Sequence, residues 1–150
     1  MELQSLENEL HKRKQIEEIL KTQKWHEFER VVAEILQVHD FETKLNFRFK
    51  TKCRYEIDIV GIRNNLILCV DCKKWSGGRY KTTALKKAAE RQKERVEELK
   101  KFKTPWFSER KKLIPLIVTL MEEELREVDG VTFVPISKLN SFLLSIDEYV

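Results

Sequence analysis

The sequence lacks a long hydrophobic run, a secretion signal and a disulfide framework. Its strongly apolar runs extend over only about eight residues, whereas a membrane-spanning helix needs about 20. No charged-then-apolar leader opens the chain, which argues against secretion. The three cysteines are an odd number without framework spacing, which favours a reducing compartment. We therefore expect a soluble, cytoplasmic protein that makes no use of a membrane.

Zinc-ligand spacing is also missing. Cys69 and Cys72 form a CxxC, but the segment around them has strand character, and strand residues three apart point to opposite faces. The histidines at positions 11, 26 and 39 show no ligand spacing with one another or with the cysteines. Buried thiols are the interpretation that this pattern favours.

The charge of the chain is unevenly distributed. Its 150 residues, 41% hydrophobic and 36% charged, fit one globular domain with a net charge of +4. Residues 73–112 contain 15 Lys and Arg against 5 Glu, a local excess of 10 positive charges. Such a stretch suits a polyanion such as nucleic acid. A solvated helix surface is the alternative.

A β-hairpin is predicted in the middle of the chain. Residues 55–61 and 67–73 read as strands, and Asn64-Asn65 suits the positive φ values of a two-residue turn. With this turn, Arg63 pairs with Leu66. The expected register then extends along both strands.

Acidic side chains face each other in that register. Asp58 lies opposite Asp71 and Glu56 lies opposite Lys73, with all four expected on one face of the sheet. Two carboxylates about 5 Å apart destabilise a sheet unless a positive charge lies between them. We therefore predict a divalent metal between the two carboxylates, with Lys73 beside it. A charge pair neutralised by Lys73 and nearby arginines is the alternative, and Glu56 with Lys73 fits a cross-strand ion pair.

The order of elements predicts an α/β domain. A first helix over residues 1–22 suits docking or dimerisation, and residues 23–150 form the domain itself. The predicted order of that domain is α, β, β, β, α, β, α, β, α, a mixed central sheet with helices on both faces. Residues 122–127 are assigned to a short helix or an acidic loop within this order.

Two polar residues stand out on the predicted helices. Glu29 is the only acid of the helix over residues 23–38 that borders its apolar stripe, although a solvated glutamate is the alternative. Gln92 lies within the apolar stripe of the helix that ends near residue 103, where a buried amide needs a partner.

Together these residues resemble the PD-(D/E)xK (restriction-endonuclease-like) nuclease superfamily. The motifs are most similar to its Mrr-like and archaeal Holliday-junction-resolvase branches, and the likeness covers roughly residues 23 to 144. They read Trp25-x-x-Phe28-Glu29-x-x-Val32, Tyr55-Glu56-Ile57-Asp58-Ile59-Val60-Gly61 and Val70-Asp71-Cys72-Lys73. Ile57 stands where the family name has proline, and Asp71 stands where many relatives have glutamate.

The resemblance implies a metal-dependent DNA endonuclease. Asp58, Asp71 and the backbone carbonyl of Cys72 are the expected ligands of Mg²⁺, with Mn²⁺ as a substitute. Lys73 is expected to act on the attacking water and the scissile phosphate. Glu29 could hold a second metal or a bridging water. Gln92 is similar to a glutamine that some members place at the site, although a satisfied core amide is equally compatible.

A DNA-binding segment is expected directly after the lysine. Aromatic and basic side chains there could stack on or clamp DNA, or the aromatic ones could cover the core. The residues assigned to DNA binding are Lys74, Trp75, Arg79, Tyr80 and Lys81.

Three functions remain open at the level of sequence. The first is a Mg²⁺-dependent endonuclease, either structure-selective or of restriction type. The second is a nucleic-acid-binding member that has lost catalysis, and the third is an assembly subunit. A homodimer or a partner protein would use the N-terminal helix.

Overall fold

The protein folds as a six-stranded sheet covered by helices. The computed structural model describes residues 25–75, 82–120 and 125–149. Its helices are α1 (Trp25–Val38), α2 (Thr82–Lys101) and α3 (Ile136–Leu144), followed by a 3₁₀ turn (Ile146–Tyr149). Its strands are β1 (Glu42–Lys50), β2 (Arg54–Arg63), β3 (Leu66–Lys73), β4 (Lys112–Thr119), β5 (Arg126–Val128) and β6 (Val131–Pro135). The helix predicted over residues 1–22 lies outside the described residues.

The sheet is mixed, as the sequence predicted. The strands lie in the order β1-β2-β3-β4-β6-β5. The first three pair antiparallel, β4 pairs parallel with both β3 and β6, and β5 returns antiparallel to β6. Helix α2 provides the crossover that the parallel pair β3–β4 requires.

Helices cover both faces of the sheet. On one face, α1 and α3 pack over a core that includes Phe28, Val32, Leu139 and Phe142. On the other face, α2 packs over two smaller clusters. Each large apolar side chain buried in this way contributes about 1.5–3 kcal/mol relative to exposure. The α/β class with helices on both faces is confirmed.

Among the described residues, no helix is long and apolar enough to cross a membrane.

The predicted hairpin register is confirmed over its inner half. The ladder between β2 and β3 runs from Arg63–Leu66 to Ile59–Val70. Asn64 has the expected positive φ, 52°, whereas Asn65 does not, so only one of the two predicted positive values is present. The ladder ends one residue before the two aspartates, so these side chains lie where the two strands part.

Strand β2 changes its facing at Asp58. Ile57 belongs to the cluster under α2, whereas Ile59 belongs to the core under α1, although strict alternation would place both on one face. The neighbouring strand has its own irregularity at the same level, because Asn46 has φ 50° and the β1–β2 pairing skips from Leu45–Ile59 to Phe47–Ile57. The register is the same on both sides of this point, so Asn46 and Asp58 form one irregular pair without the register shift of a β-bulge.

Two predictions about this region are wrong. Glu56 does not pair with Lys73, because it lies opposite Arg48 on β1 and accepts a hydrogen bond from it at 2.7 Å. The expectation that four side chains share one face assumed uninterrupted alternation, which Asp58 breaks. The helix or loop predicted for residues 122–127 is also corrected at its end, because residues 126 and 127 lie in the edge strand β5. Residues 122–124 lie outside the described ranges.

Candidate active site

Asp58 and Asp71 meet where β2 and β3 separate. Oδ2 of Asp58 accepts a hydrogen bond from the backbone N–H of Cys72 at 2.9 Å, so a side chain takes the place that a backbone carbonyl would fill in a continued ladder. Asp71, on the adjacent strand, is 93% buried. The predicted proximity of the two carboxylates is therefore present, although it does not arise from a regular cross-strand pair.

Asp71 lies beside two cations without a well-formed hydrogen bond from either. Its Oδ2 is 3.3 Å from Nζ of Lys73 and 3.9 Å from Nη1 of Arg95. Among the described residues, this buried oxygen has no hydrogen-bond partner. The Lys73 contact is an ion pair that does not meet hydrogen-bond geometry. A buried carboxylate oxygen in this state needs a further positive partner.

Glu29 reaches the acidic pair from α1. Its side chain is buried, which excludes the alternative of a solvated helix glutamate. Nδ2 of Asn46, on the irregular residue of β1, lies 3.4 Å from Oε2 of Glu29. The structure therefore brings Glu29, Asp58 and Asp71 to the same end of the sheet.

The pKa of Asp58 is raised from its ordinary value of 3.8 to about 7. Burial is the main cause, and the hydrogen bond from Cys72 acts in the opposite direction. The negative charge of Asp71, a side-chain hydrogen bond with Asp71 and the charge of Glu29 add to the rise. In the absence of a cation, the carboxyl of Asp58 is therefore only partly ionised at neutral pH.

We expect the metal-free protein to lose stability as the pH rises. A carboxyl whose pKa is raised by folding stabilises the fold fully below its unfolded pKa, and this contribution disappears as the pH approaches the folded value of about 7. Because Asp58 is partly exposed, we discount the effect to about 1–2 kcal/mol, lost between about pH 4 and pH 7. Urea unfolding in EDTA would measure it. Asp58→Asn should flatten the profile, and an unchanged profile in that variant would contradict the assignment.

Gln92 connects helix α2 with the sheet beneath it. Its side chain is fully buried, and Nε2 donates to the carbonyl of Cys69 at 2.7 Å and to that of Leu116 at 3.2 Å. Its Oε1 accepts a hydrogen bond from Arg95 at 3.0 Å. The buried amide of Gln92 thus has the hydrogen-bond partners that it needs, and it holds the guanidinium of Arg95 next to Asp71. Its direct action on substrate stays a prediction.

Sequence reasoning missed Arg95 and Asn46. Arg95 lies three residues after Gln92, so helical spacing places both on one side of α2, and that spacing was a usable signal. Asn46 carried a weaker signal, because asparagine tolerates positive φ, yet it lies within an otherwise regular strand pattern.

Comparison with known proteins identifies the family. A family model described as the nuclease-related domain (NERD) matches residues 24–119. An uncharacterized protein of Archaeoglobus fulgidus is 37% identical over 128 residues, which make up 85% of this chain and 95% of that protein. The chain belongs to the NERD family. NERD is a PD-(D/E)xK-like nuclease family, so the predicted class is supported, whereas the Mrr-like and Holliday-junction-resolvase subtypes receive no support.

A solved crystal structure of a protein of unknown function is also similar to this NERD domain. The two chains are 22% identical, with a TM-score of 0.49. The likeness covers 81% of this chain and 65% of the other, so this chain spans less than two thirds of that protein.

The DNA-binding residues predicted for this NERD domain fall partly outside the described ranges. Arg79, Tyr80 and Lys81 lie there. Lys74 is half-buried, and Trp75 is half-buried against the cluster of Leu85, Ala88, Ala89, Ile117, Val131 and Phe133. The contacts of Trp75 fit the core-covering alternative, and its role in DNA binding stays a prediction.

The two cysteines of the NERD domain's CxxC lie on opposite faces, as predicted. Cys69 packs under α2 and Cys72 under α1, and both thiols are buried and free. Burial raises the pKa of Cys69 to about 12 and that of Cys72 well above its ordinary value. They are core residues with protonated thiols.

The donor set of the NERD domain fits a hard divalent cation that keeps part of its water shell. Within residues 25–75, 82–120 and 125–149, no group of three or more His, Cys, Asp or Glu side chains is arranged to hold a metal ion. Mg²⁺, however, is usually held by one or two carboxylates together with water and substrate phosphates. The buried Oδ2 of Asp71, which has no hydrogen bond among the described residues, and the suppressed ionisation of Asp58 are the features that such a cation would relieve.

Proposed function

We propose that this NERD domain is a Mg²⁺-dependent endonuclease that hydrolyses phosphodiester bonds in DNA. The observation that carries the proposal is the buried Asp71, whose Oδ2 lies 3.3 Å from Lys73 and has no hydrogen bond among the described residues. The adjacent Asp58 has a pKa raised to about 7. Two such groups at the open end of a sheet are costly unless they serve a ligand.

Each residue has a distinct task in the proposed reaction. Asp58, Asp71 and the carbonyl of Cys72 would hold the cation, which supplies positive charge for the phosphate and for an attacking water. Lys73 lies at the end of β3, where its ammonium can bind the scissile phosphate and orient the water. Arg95 supports the charge of Asp71, and Gln92 holds Arg95 in place. Glu29 would bind water at the α1 side of the site.

A catalytically silent DNA-binding protein is the second candidate. It is favoured by the lack of a cluster of three metal-ligating side chains in the described part of the chain. The presence of Glu29, Asp58, Asp71 and Lys73 together argues against it, because loss of catalysis would remove the need to keep this set. We also propose a cytoplasmic location for the endonuclease. A homodimer or a partner protein would bind it through residues 1–22.

A cleavage assay tests the proposal directly. The protein would be incubated with supercoiled plasmid, linear duplex and four-way-junction DNA in Mg²⁺, Mn²⁺ or EDTA, with Lys73→Ala purified in parallel as the control for contaminating nuclease. We expect cutting by the wild type alone and only with metal. Salt-sensitive DNA binding without cutting of any substrate would instead establish the silent candidate.

A further inference from the structure

The β1–β2 hairpin extends beyond the acidic end of the sheet. Its pairing continues to Lys50–Arg54, whereas the ladder between β2 and β3 ends at Ile59–Val70. Residues 47–57 therefore project past the point where the two aspartates lie. We refer to this projection as the hairpin arm.

One face of the hairpin arm is aromatic and packs on the body of the domain. Phe47 contacts Trp106 with ring centroids 5.2 Å apart, and Phe49 contacts Phe102 at 5.5 Å. Tyr55 stacks on Phe49 at 5.4 Å. Aromatic pairs at these distances stabilise beyond their burial, so this face gives the arm a fixed base.

The tip of the arm is attached to helix α2. Thr51 donates a hydrogen bond to Glu98 at 2.5 Å, and Nζ of Lys52 lies 3.3 Å from Glu94. Glu98 is buried and Thr51 is half-buried, so this bond is partly shielded from water. The arm is therefore held at both its base and its tip, and its orientation is defined.

The opposite face of the arm is basic. Arg48, Lys50 and Arg54 are exposed there. A shallow groove of about 660 Å³ at the arm is lined by these three residues, Glu56 and the two aromatic residues Phe49 and Tyr55. Lys50 lies directly opposite Arg54, a pairing of like charges that destabilises a hairpin. Within the described residues, neither of these two has a carboxylate partner, whereas Arg48 is paired with Glu56 at 2.7 Å.

The basic face lies on the same side of the sheet as α1, because the aromatic face lies on the side of α2. Glu29 reaches the acidic pair from that same side, whereas Arg95 on α2 contacts Asp71 from the other side. Arg54 is four residues from Asp58, which corresponds to roughly 13 Å along the strand. This is the axial length of about four nucleotides, at 3.4 Å per nucleotide of one DNA strand.

We propose that the hairpin arm binds the phosphate backbone of duplex DNA next to the bond that is cut, through Lys50 and Arg54. This inference rests on the proposed function, because it assigns the surface that holds the substrate of that site. Phosphates between the two cations remove their repulsion, just as a metal removes the repulsion of the aspartates. The rigid base of the arm keeps the cost of ordering this contact low.

DNA affinity of paired variants tests the assignment. Lys50→Ala/Arg54→Ala removes two charges from the arm, and Arg110→Ala/Lys112→Ala removes two exposed charges at the other end of the sheet, about 23 Å from Lys73 along β3. Binding to a fluorescent duplex would be measured by anisotropy in EDTA, from about 50 to 200 mM KCl. The arm variant should lose at least about tenfold in affinity, and its salt slope should fall by about 2.

The control variant separates the arm from a general effect of charge. It should keep the wild-type affinity and slope, and equal losses in both variants would overturn the inference. The thermal midpoint of the arm variant should equal or exceed that of the wild type, because a like-charge pair has been removed. A lowered midpoint would mean that Lys50 and Arg54 stabilise the hairpin, which would contradict a binding role.

Failure of this inference differs from failure of the proposed function. If the wild type cuts DNA and the arm variant binds it as tightly as the wild type does, only the arm assignment fails. If the wild type neither cuts nor binds any DNA, the proposed function fails, and the arm assignment fails with it.

Discussion

Asp71→Asn is expected to reduce DNA cleavage by at least about 100-fold. The substitution keeps the size of a side chain that is 93% buried, but it removes the charge that attracts the cation and holds Lys73 and Arg95 near the site. Initial rates on supercoiled plasmid in Mg²⁺ would measure the effect. Wild-type rates in this variant would show that Asp71 does not belong to the active site.

A second measurement on Asp71→Asn separates metal binding from folding. Millimolar Mg²⁺ should raise the thermal midpoint of the wild type, since a ligand that binds only the folded state stabilises it, and this rise should be absent in the variant. In EDTA the midpoints should be similar, because loss of the Lys73 attraction is offset by a reduced repulsion of Asp58. Asp147→Asn, at an exposed position, provides the matched control. A full Mg²⁺ response in Asp71→Asn would place the metal elsewhere.

Gln92→Leu is expected to destabilise the protein by about 3 kcal/mol. The leucine fills a similar volume, but the carbonyls of Cys69 and Leu116 lose a buried donor, and Arg95 loses its acceptor. Unfolding by urea in EDTA at neutral pH would give the free energy.

The control for Gln92→Leu is the same substitution at an exposed position. Gln37 lies on the surface of α1, where it donates an exposed hydrogen bond to Thr43, so Gln37→Leu should change the free energy of unfolding by no more than about 0.5 kcal/mol. Equal effects at the two positions would show that the buried amide does not join α2 to the sheet.

The parts of the fold that could be predicted depend on local rules. The turn at Asn64-Asn65 fixes the register of β2 and β3, since the turn and the alternating apolar residues agree. Glu29 was identified because helical periodicity placed it at the border of a buried stripe, and it is indeed buried. These inferences required only neighbouring residues.

The parts that could not be predicted depend on contacts between distant elements. The change of facing at Asp58 accompanies an irregular residue on another strand, Asn46, and no pattern within β2 alone reveals it. Glu56 was assigned to the wrong partner for the same reason, because the competing Arg48 comes from β1. The contact of Arg95 with Asp71 becomes apparent only when α2 is placed over β3.

The irregularity at Asp58 determines on which face of the sheet each side chain of the hairpin arm lies. Ile57 and Ile59 lie in different core clusters, and the register to β1 is unchanged on either side, so Asp58 and Asn46 share the irregularity. The Asp58 side chain packs in neither core cluster, so its carboxylate can turn towards Cys72 and the acidic end of the sheet. The same irregular pair decides which side of the hairpin arm is aromatic and which is basic. This pair thus couples the direction of the Asp58 side chain to the polarity of the surface beside it.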